Sequence, residues 1–172
     1  MNNKSILLAY ASRYGSTQEV AETIATVLRA AALEVDIKPI QEVTTLDAYT
    51  LVVLGAALYN TRWHTDAHQF LSQHRDILRQ RPVAIFALGP LNASEVAMQN
   101  SRRQLARELQ KYPWLKPVAL EMFVGKLDPS KLSFFERLGA KASDNRNWEA
   151  IRAWAETLPS KLQPVVNLAP AG

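Results

Sequence analysis

Three runs of this chain, Ser5-Ile-Leu-Leu-Ala-Tyr10, Leu51-Val-Val-Leu-Gly55 and Pro82-Val-Ala-Ile-Phe-Ala-Leu88, are apolar without any clear alternation. A strand with one wet face alternates polar and apolar residues; a strand buried on both faces does not. Strands of the second kind need helices on both sides of their sheet, and the intervening sequence supplies them. Ser16 to Ala32 has Val20, Ile24, Val27, Leu28 and Ala31 at helical spacing, and Ser16 with Glu19 fits a capping box. Thr65 to Arg79 and Ser94 to Lys111 read as two further helices, the latter polar-faced, and Asn147 to Leu158 as the last. Glu34 to Ile40 alternates Val35 and Ile37 with charges, as an edge strand does, and Pro117 to Val124 is a fifth strand. Strands alternating with helices predict an α/β fold with a mostly parallel sheet and right-handed crossovers.

At 172 residues and 48% apolar, the chain suits one domain with a sizeable core, expected over residues 1–160. Residues 161–172 are expected to form a frayed C-terminal tail. Gly125 to Asp144 is too long for a simple turn and is either functional or an added subelement. Cysteine is absent, which excludes disulfides, thiolate metal sites and thiol nucleophiles and suits a reducing cytoplasm. The longest uncharged stretch, Ala48 to Thr61, has 14 residues, short of the ~18 that a membrane span requires. Met-Asn-Asn-Lys followed at once by a strand-like run is not expected to be a signal peptide.

Charge is unevenly spread. Residues 1–100 carry eight Lys/Arg against nine Asp/Glu, and residues 101–172 carry twelve against seven. The basic half leaves an anionic ligand or peripheral contact with an acidic membrane open. No basic run interleaves with aromatics and no helix-turn-helix spacing is present, so no nucleic acid partner is expected.

Ligands of such sheets bind at the carboxyl ends of the strands. Gly15, Gly55, Gly89 and Gly125 each follow an apolar strand directly or within a few residues, which marks that rim as a site. The loop Ala11-Ser-Arg-Tyr-Gly-Ser-Thr17 joins the first strand to the first helix and offers hydroxyls at Ser12, Ser16 and Thr17. Helix N-terminal N–H groups with hydroxyls beside them make an anion cradle. No Gly-Lys-Ser/Thr is present, and Gly15 has no glycine partners at dinucleotide spacing, so the cradle suits a terminal phosphate monoester.

The segment Ile6-Leu-Leu-Ala-Tyr-Ala-Ser-Arg-Tyr-Gly-Ser-Thr-Gln-Glu-Val-Ala21 resembles the FMN phosphate loop of flavodoxins. Three more segments narrow the resemblance to the flavodoxin-domain branch that includes menaquinone-dependent protoporphyrinogen oxidase. They are Gly55 to His64, Phe123 to Leu132 and Asp144 to Trp154. The resemblance implies a flavodoxin-like three-layer sandwich with a five-stranded parallel sheet of order 2-1-3-4-5, holding one FMN. It implies that Ser12, Arg13, Tyr14, Gly15, Ser16 and Thr17 hold the phosphate. It also implies that Ala57, Leu58, Tyr59, Asn60, Thr61, Arg62 and Trp63, with Leu88, Gly89, Pro90, Leu91 and Asn92, flank the isoalloxazine. Gly125 and Lys126 border it from the fifth strand. The chain departs from acidic flavodoxins in being basic, and from the oxidase in lacking a long basic and aromatic stretch after Lys126.

The expected function is an FMN-dependent oxidoreductase, protoporphyrinogen oxidase-like, passing electrons to a quinone, a small molecule or a redox partner protein. A plain electron-transfer flavodoxin and a flavodoxin-fold binding module without flavin are the alternatives. In such a role no side chain needs to act as acid, base or nucleophile, and none is assigned as catalytic. Tyr59 and Trp63 are placed to stack on a flavin, whereas Trp148 and Trp154 lie on a core stripe. His64 and His68 are four apart but lack a third ligand, and no metal site is assigned. Around the site Arg62, His64 and Lys126 face Asp66 and Asp128, a balance near neutral or positive.

Overall fold

β1 (Ser5–Ala11) lies inside a parallel sheet, between β2 (Glu34–Pro39) and β3 (Leu51–Tyr59). The sheet continues through β5 (Val83–Leu88) to β6 (Ala119–Phe123), in the order β2-β1-β3-β5-β6. A short β4 (Arg62–Trp63) pairs antiparallel with the end of β3. Counting only the five parallel strands, this is the expected order 2-1-3-4-5. These elements come from a computed structural model that describes residues 5–59, 62–138 and 140–161, with only the backbone at Phe135 and Glu136.

Successive side chains of a strand point to opposite faces, and here both faces are dry. Ile6, Leu8, Tyr10, Val53, Ala84 and Phe86 face α1 (Ser16–Ala30) and α6 (Trp148–Lys161), where they meet Val20, Ile24, Leu28, Ile151, Ala155 and Leu158. Leu7, Ala9, Val52, Leu54, Ile85 and Ala87 face the opposite layer. That layer is α2 (Thr65–Gln73), α3 (Arg75–Leu78) and α4 (Glu95–Leu109), which bury Phe70, Leu71, Leu78 and Leu105. Burial on both faces is why these strands carry continuous apolar runs.

Four local readings are corrected. The single helix expected over Thr65 to Arg79 is interrupted at His74, whose φ of −106° and ψ of 19° leave the helical region. The helix expected to reach Ala32 ends at Ala30, because Ala32 takes φ 60°. There Ala32 N–H donates to Arg29 O and Leu33 N–H to Leu28 O, the bond pattern of a Schellman ending with alanine where glycine is usual. The capping box at Ser16 and Glu19 is absent: Gly15 is the N-cap, and no side chain caps the helix. Finally, the third strand does not end with the apolar run at Gly55: Ala56 to Tyr59 extend β3, and Arg62 and Trp63 pair back on it. Asn60 and Thr61 lie outside the described residues, as do residues 162–172 of the expected tail.

The long Gly125 to Asp144 stretch contains β7 (Lys126–Leu127), a 3-10 turn at Pro129–Lys131, α5 (Phe134–Arg137) and β8 (Ser143–Asp144). β7 and β8 pair antiparallel, Lys126 opposite Asp144 and Leu127 opposite Ser143, so the stretch is an added subelement. Among the described residues no helix is long and apolar enough to cross a membrane.

Candidate functional site

The first loop is shaped by one glycine and one serine. Gly15 has φ 87°, a left-handed conformation that strains any residue with a Cβ. Its N–H donates to Ser12 Oγ at 2.8 Å, which closes the loop and leaves the Ser12 hydroxyl proton for a further acceptor. With no side-chain cap, the first N–H groups of α1 keep their capacity to bind an acceptor. Thr17, the second residue of that helix, is 1% exposed, and its Oγ1 is buried without a hydrogen-bond partner among the described residues. A buried hydroxyl left in that state costs about 1–3 kcal/mol. An anion with several acceptor oxygens supplies what this helix start lacks.

Beside the loop is a cleft of about 350 Å³ at the carboxyl ends of β1, β3, β5 and β6. It brings together eleven of the predicted residues: Tyr14, Ser16, Ala57, Leu58, Tyr59, Leu88, Gly89, Pro90, Leu91, Gly125 and Lys126. Gly89 N–H donates to Phe123 O at 2.8 Å and Gly125 N–H to Pro90 O at 2.9 Å, bonds that tie the β5 and β6 loops into one wall. The volume lies within the usual range for small-molecule sites, and the walls are mostly apolar. Tyr14 and Tyr59 meet edge-on at 5.9 Å, with the Arg13 guanidinium 5.0 and 5.1 Å from their ring centres. Such cation–π contacts stiffen this rim of the cleft.

Other predicted residues stand elsewhere. Ser12, Arg13 and Gly15 belong to the adjoining loop and Thr17 to the first turn of α1, and none of them lines the cleft. Trp63 is 2% exposed and packs in the core, its indole N–H donating to Ala56 O at 3.3 Å and its ring against His68. Arg62 is exposed on β4, and Asn92 turns the chain into α4 by accepting from Ser94 N–H. Gly55 lies within β3 and not at its end. A Cβ there would sit 2.0 Å from the Phe86 ring, so this glycine serves packing. His64 caps α2 by accepting from Asp66 N–H. His68 bonds Glu108 at 2.8 Å and Tyr112 Oη at 2.6 Å, joining α2 to α4. Burial pushes the Glu108 carboxyl up, but its bonds and proximity to Lys111 and His68 outweigh that and hold it below the ordinary range.

Sequence reasoning missed two sets of residues. Asn100, Ser101 and Gln104 of α4 and Leu127 of β7 also line the cleft. A polar helical residue facing a cleft has the same periodicity as one facing water, so spacing alone could not separate them. The second set comes from the added subelement and the residues just after it. Lys131 Nζ donates to Tyr14 O at 3.2 Å, over the first loop. Arg146, with 2% of its side chain exposed, donates to both Asp144 oxygens at 2.8 Å and to Glu19, and stacks 4.5 Å from the Trp148 ring centre. The length of the stretch was its one signal; its contact with a loop more than a hundred residues earlier had none.

Electrostatics at the rim are therefore paired. Lys126 Nζ lies 3.7 Å from Glu19 Oε1 and 3.9 Å from Asp144 Oδ2, so the positive excess expected around Lys126 is offset by two carboxylates. The hydrogen bond from Arg146, working against burial, holds the Asp144 carboxyl below the ordinary range. Burial disfavours the Arg146 cation, yet its bonds to Asp144 and Glu19 outweigh it and raise its pKa.

The cleft and loop together fit a ligand with a flat apolar body and a terminal phosphate. The flavodoxin domain family matches residues 7–145 of the chain. No curated protein matches its sequence. Among solved structures, a flavodoxin of Streptococcus pneumonia TIGR4 is 16% identical with a TM-score of 0.61, covering 91% of this chain and 99% of that one. Flavodoxin 2 of Bacillus cereus is 20% identical with a TM-score of 0.55, covering 92% and 97%. A flavodoxin from the domain Archaea is 11% identical with a TM-score of 0.59, covering 92% and 98%. At these identities the structural likeness speaks for the fold alone, but the family match spans most of the chain: it belongs to the flavodoxin domain family.

Proposed function

We propose that the protein binds FMN and transfers electrons, with residues 1–160 as the FMN-binding unit. The observation that carries this reading is the buried, unpartnered Thr17 hydroxyl at the uncapped start of α1, beside an apolar cleft. Ser12, Ser16, Thr17 and the N–H groups of the loop would hold the phosphate. The β3 end at Ala57, Leu58 and Tyr59, with Leu88 to Leu91 and Gly125, would enclose the isoalloxazine and exclude water from its faces. FMN, when bound, supplies reversible one- and two-electron chemistry, and the chain supplies orientation and local charge. Its partner on this reading is a redox protein.

The three segments that resemble the protoporphyrinogen oxidase branch, Gly55 to His64, Phe123 to Leu132 and Asp144 to Trp154, support a finer reading, in which the acceptor is a quinone. Calorimetric titration with FMN, FAD, NAD and riboflavin tests the first reading, with FMN expected to bind most tightly. A preference for FAD, or no flavin binding at all, defeats it, and the latter outcome favours a flavodoxin-fold binding module. An assay of the FMN-loaded protein with protoporphyrinogen and quinone acceptors tests the second. No turnover there, with electron exchange retained toward a protein acceptor, leaves a plain electron-transfer flavodoxin.

A further inference from the structure

We propose that Lys131 is a phosphate-binding residue of this site, a cation that the added subelement carries onto the first loop. The inference rests on the FMN reading above. Lys131 Nζ donates to Tyr14 O at 3.2 Å, across 117 residues of sequence. It also lies 3.2 Å from where a Cβ on Gly15 would stand, so the ammonium rests directly over the left-handed residue that starts α1. An ammonium has three N–H donors, and the Tyr14 carbonyl takes one. Two neighbouring cations are differently placed: Lys126 of β7 and Arg146, just after β8, both have Glu19 and Asp144 as counter-ions. Among the described residues no carboxylate lies within ion-pair distance of Lys131. Asp128 in the same turn accepts from both Ser130 N–H and Ser130 Oγ, and these bonds hold its carboxyl low more than the nearby charges of Lys131 and Lys126 do.

This arrangement is unfavourable as it stands. The start of a helix carries partial positive charge, and a cation there is repelled by it. Beneath the ammonium the loop is rich in donors and short of acceptors, with an uncapped helix start and the unpartnered Thr17 Oγ1. A dianionic phosphate monoester between them turns repulsion into charge-assisted hydrogen bonds on both sides. The position of Lys131 is also braced. Asp128 caps its 3-10 turn, Arg137 donates to Ser130 O at 2.9 Å and Leu132 O at 3.0 Å, and Leu132 is buried. The cation is thus presented by a built turn.

The test uses the full chain with Lys131→Gln and Lys131→Arg, and flavin fluorescence titrations with FMN and riboflavin at low and physiological salt. Lys131→Gln is expected to weaken FMN about tenfold at low salt, the scale of one charge-assisted bond partly exposed to solvent. The loss shrinks at higher salt, and riboflavin, which has no phosphate, changes less than about twofold. Lys131→Arg restores most of the FMN affinity. Inorganic phosphate is expected to compete with FMN more weakly in Lys131→Gln than in the wild type. Unchanged FMN affinity in Lys131→Gln, or equal fold-losses for FMN and riboflavin, overturns the inference alone. A wild-type chain that binds no FMN removes the reading beneath it, and the inference with it.

Discussion

Thr17 has opposite value to the free and the ligand-bound protein. Its side chain is buried at the second position of α1, and among the described residues Oγ1 has no partner. Valine has nearly the same shape without the hydroxyl, so Thr17→Val removes an unsatisfied polar group and leaves no cavity. The free protein should therefore keep its stability or gain up to about 1 kcal/mol in urea unfolding. FMN binding should weaken by about 1.5–3 kcal/mol, the worth of a charge-assisted hydrogen bond to phosphate. Riboflavin affinity should stay nearly constant. A stability loss in the free protein with no change in FMN affinity would make the hydroxyl structural and defeat this assignment. At this scale the sequence was most legible where the chemistry is local. Ser12 and Gly15 stand three residues apart, and one strand-to-helix turn brings them into hydrogen-bonding distance. Lys131 reaches the same turn from a distant segment, and nothing in its neighbours marks it.

At the scale of elements, the charged cluster of Glu19, Lys126, Asp144 and Arg146 pins the β7–β8 pair to the first turn of α1. Arg146 is the buried member, with 2% of its side chain exposed against 41% for Asp144. Removing the carboxylate strands a buried cation with Glu19 alone, whereas an exposed ion pair would lose little. Asp144→Asn should cost about 1–2 kcal/mol at pH 7, the lower end for a buried pair because solvent screens Asp144. The folded-state pKa of Asp144 lies below its unfolded value, chiefly through the Arg146 hydrogen bond. Its contribution is therefore complete above the unfolded value of about 4 and fades as pH falls through the lower folded value. Urea unfolding of wild type and Asp144→Asn should differ at pH 7 and converge in strong acid; a constant difference across that range would refute the linkage. Elements were legible where burial leaves a pattern. β1, β3 and β5 are continuous apolar runs because helices cover both faces. The break at His74 left no trace, since neither glycine nor proline stands near it, and the alanine at position 32 hid the end of α1 for the same reason. Arg146 was invisible as part of a site because its partners lie on α1 and β8, two elements joined only by the fold.

The whole molecule is one main sheet with a core on each face, and the candidate site touches both halves. Tyr10 and Phe86 belong to the α1–α6 side, Ala9 and Ala87 to the α2–α4 side, and the same two strands carry all four. Neither core can be lost while the other keeps its strands, so unfolding should be a single cooperative transition. A ligand in the cleft contacts the ends of β3 and β5 and also α4 and β7, so its binding energy should stabilise that transition as a unit. At a free FMN concentration one hundred times its dissociation constant, the gain is about 2.7 kcal/mol. For a domain of this size each kcal/mol moves the midpoint by roughly 2–4 °C, which gives a rise of about 5–11 °C. Riboflavin at the same concentration should raise it less, because the first loop then keeps its unmatched donors, and NAD should leave it unmoved. The measurement is a thermal melt followed by far-ultraviolet circular dichroism and by tryptophan fluorescence, with and without each ligand. Trp63 reports from the α2–α4 core, and Trp148 and Trp154 pack against the α1–α6 core. Coincident melts that shift together with FMN fit one domain built around one phosphate-anchored site. Two separated transitions, of which FMN moves only one, would mean that the cores unfold independently and that the cleft does not couple them.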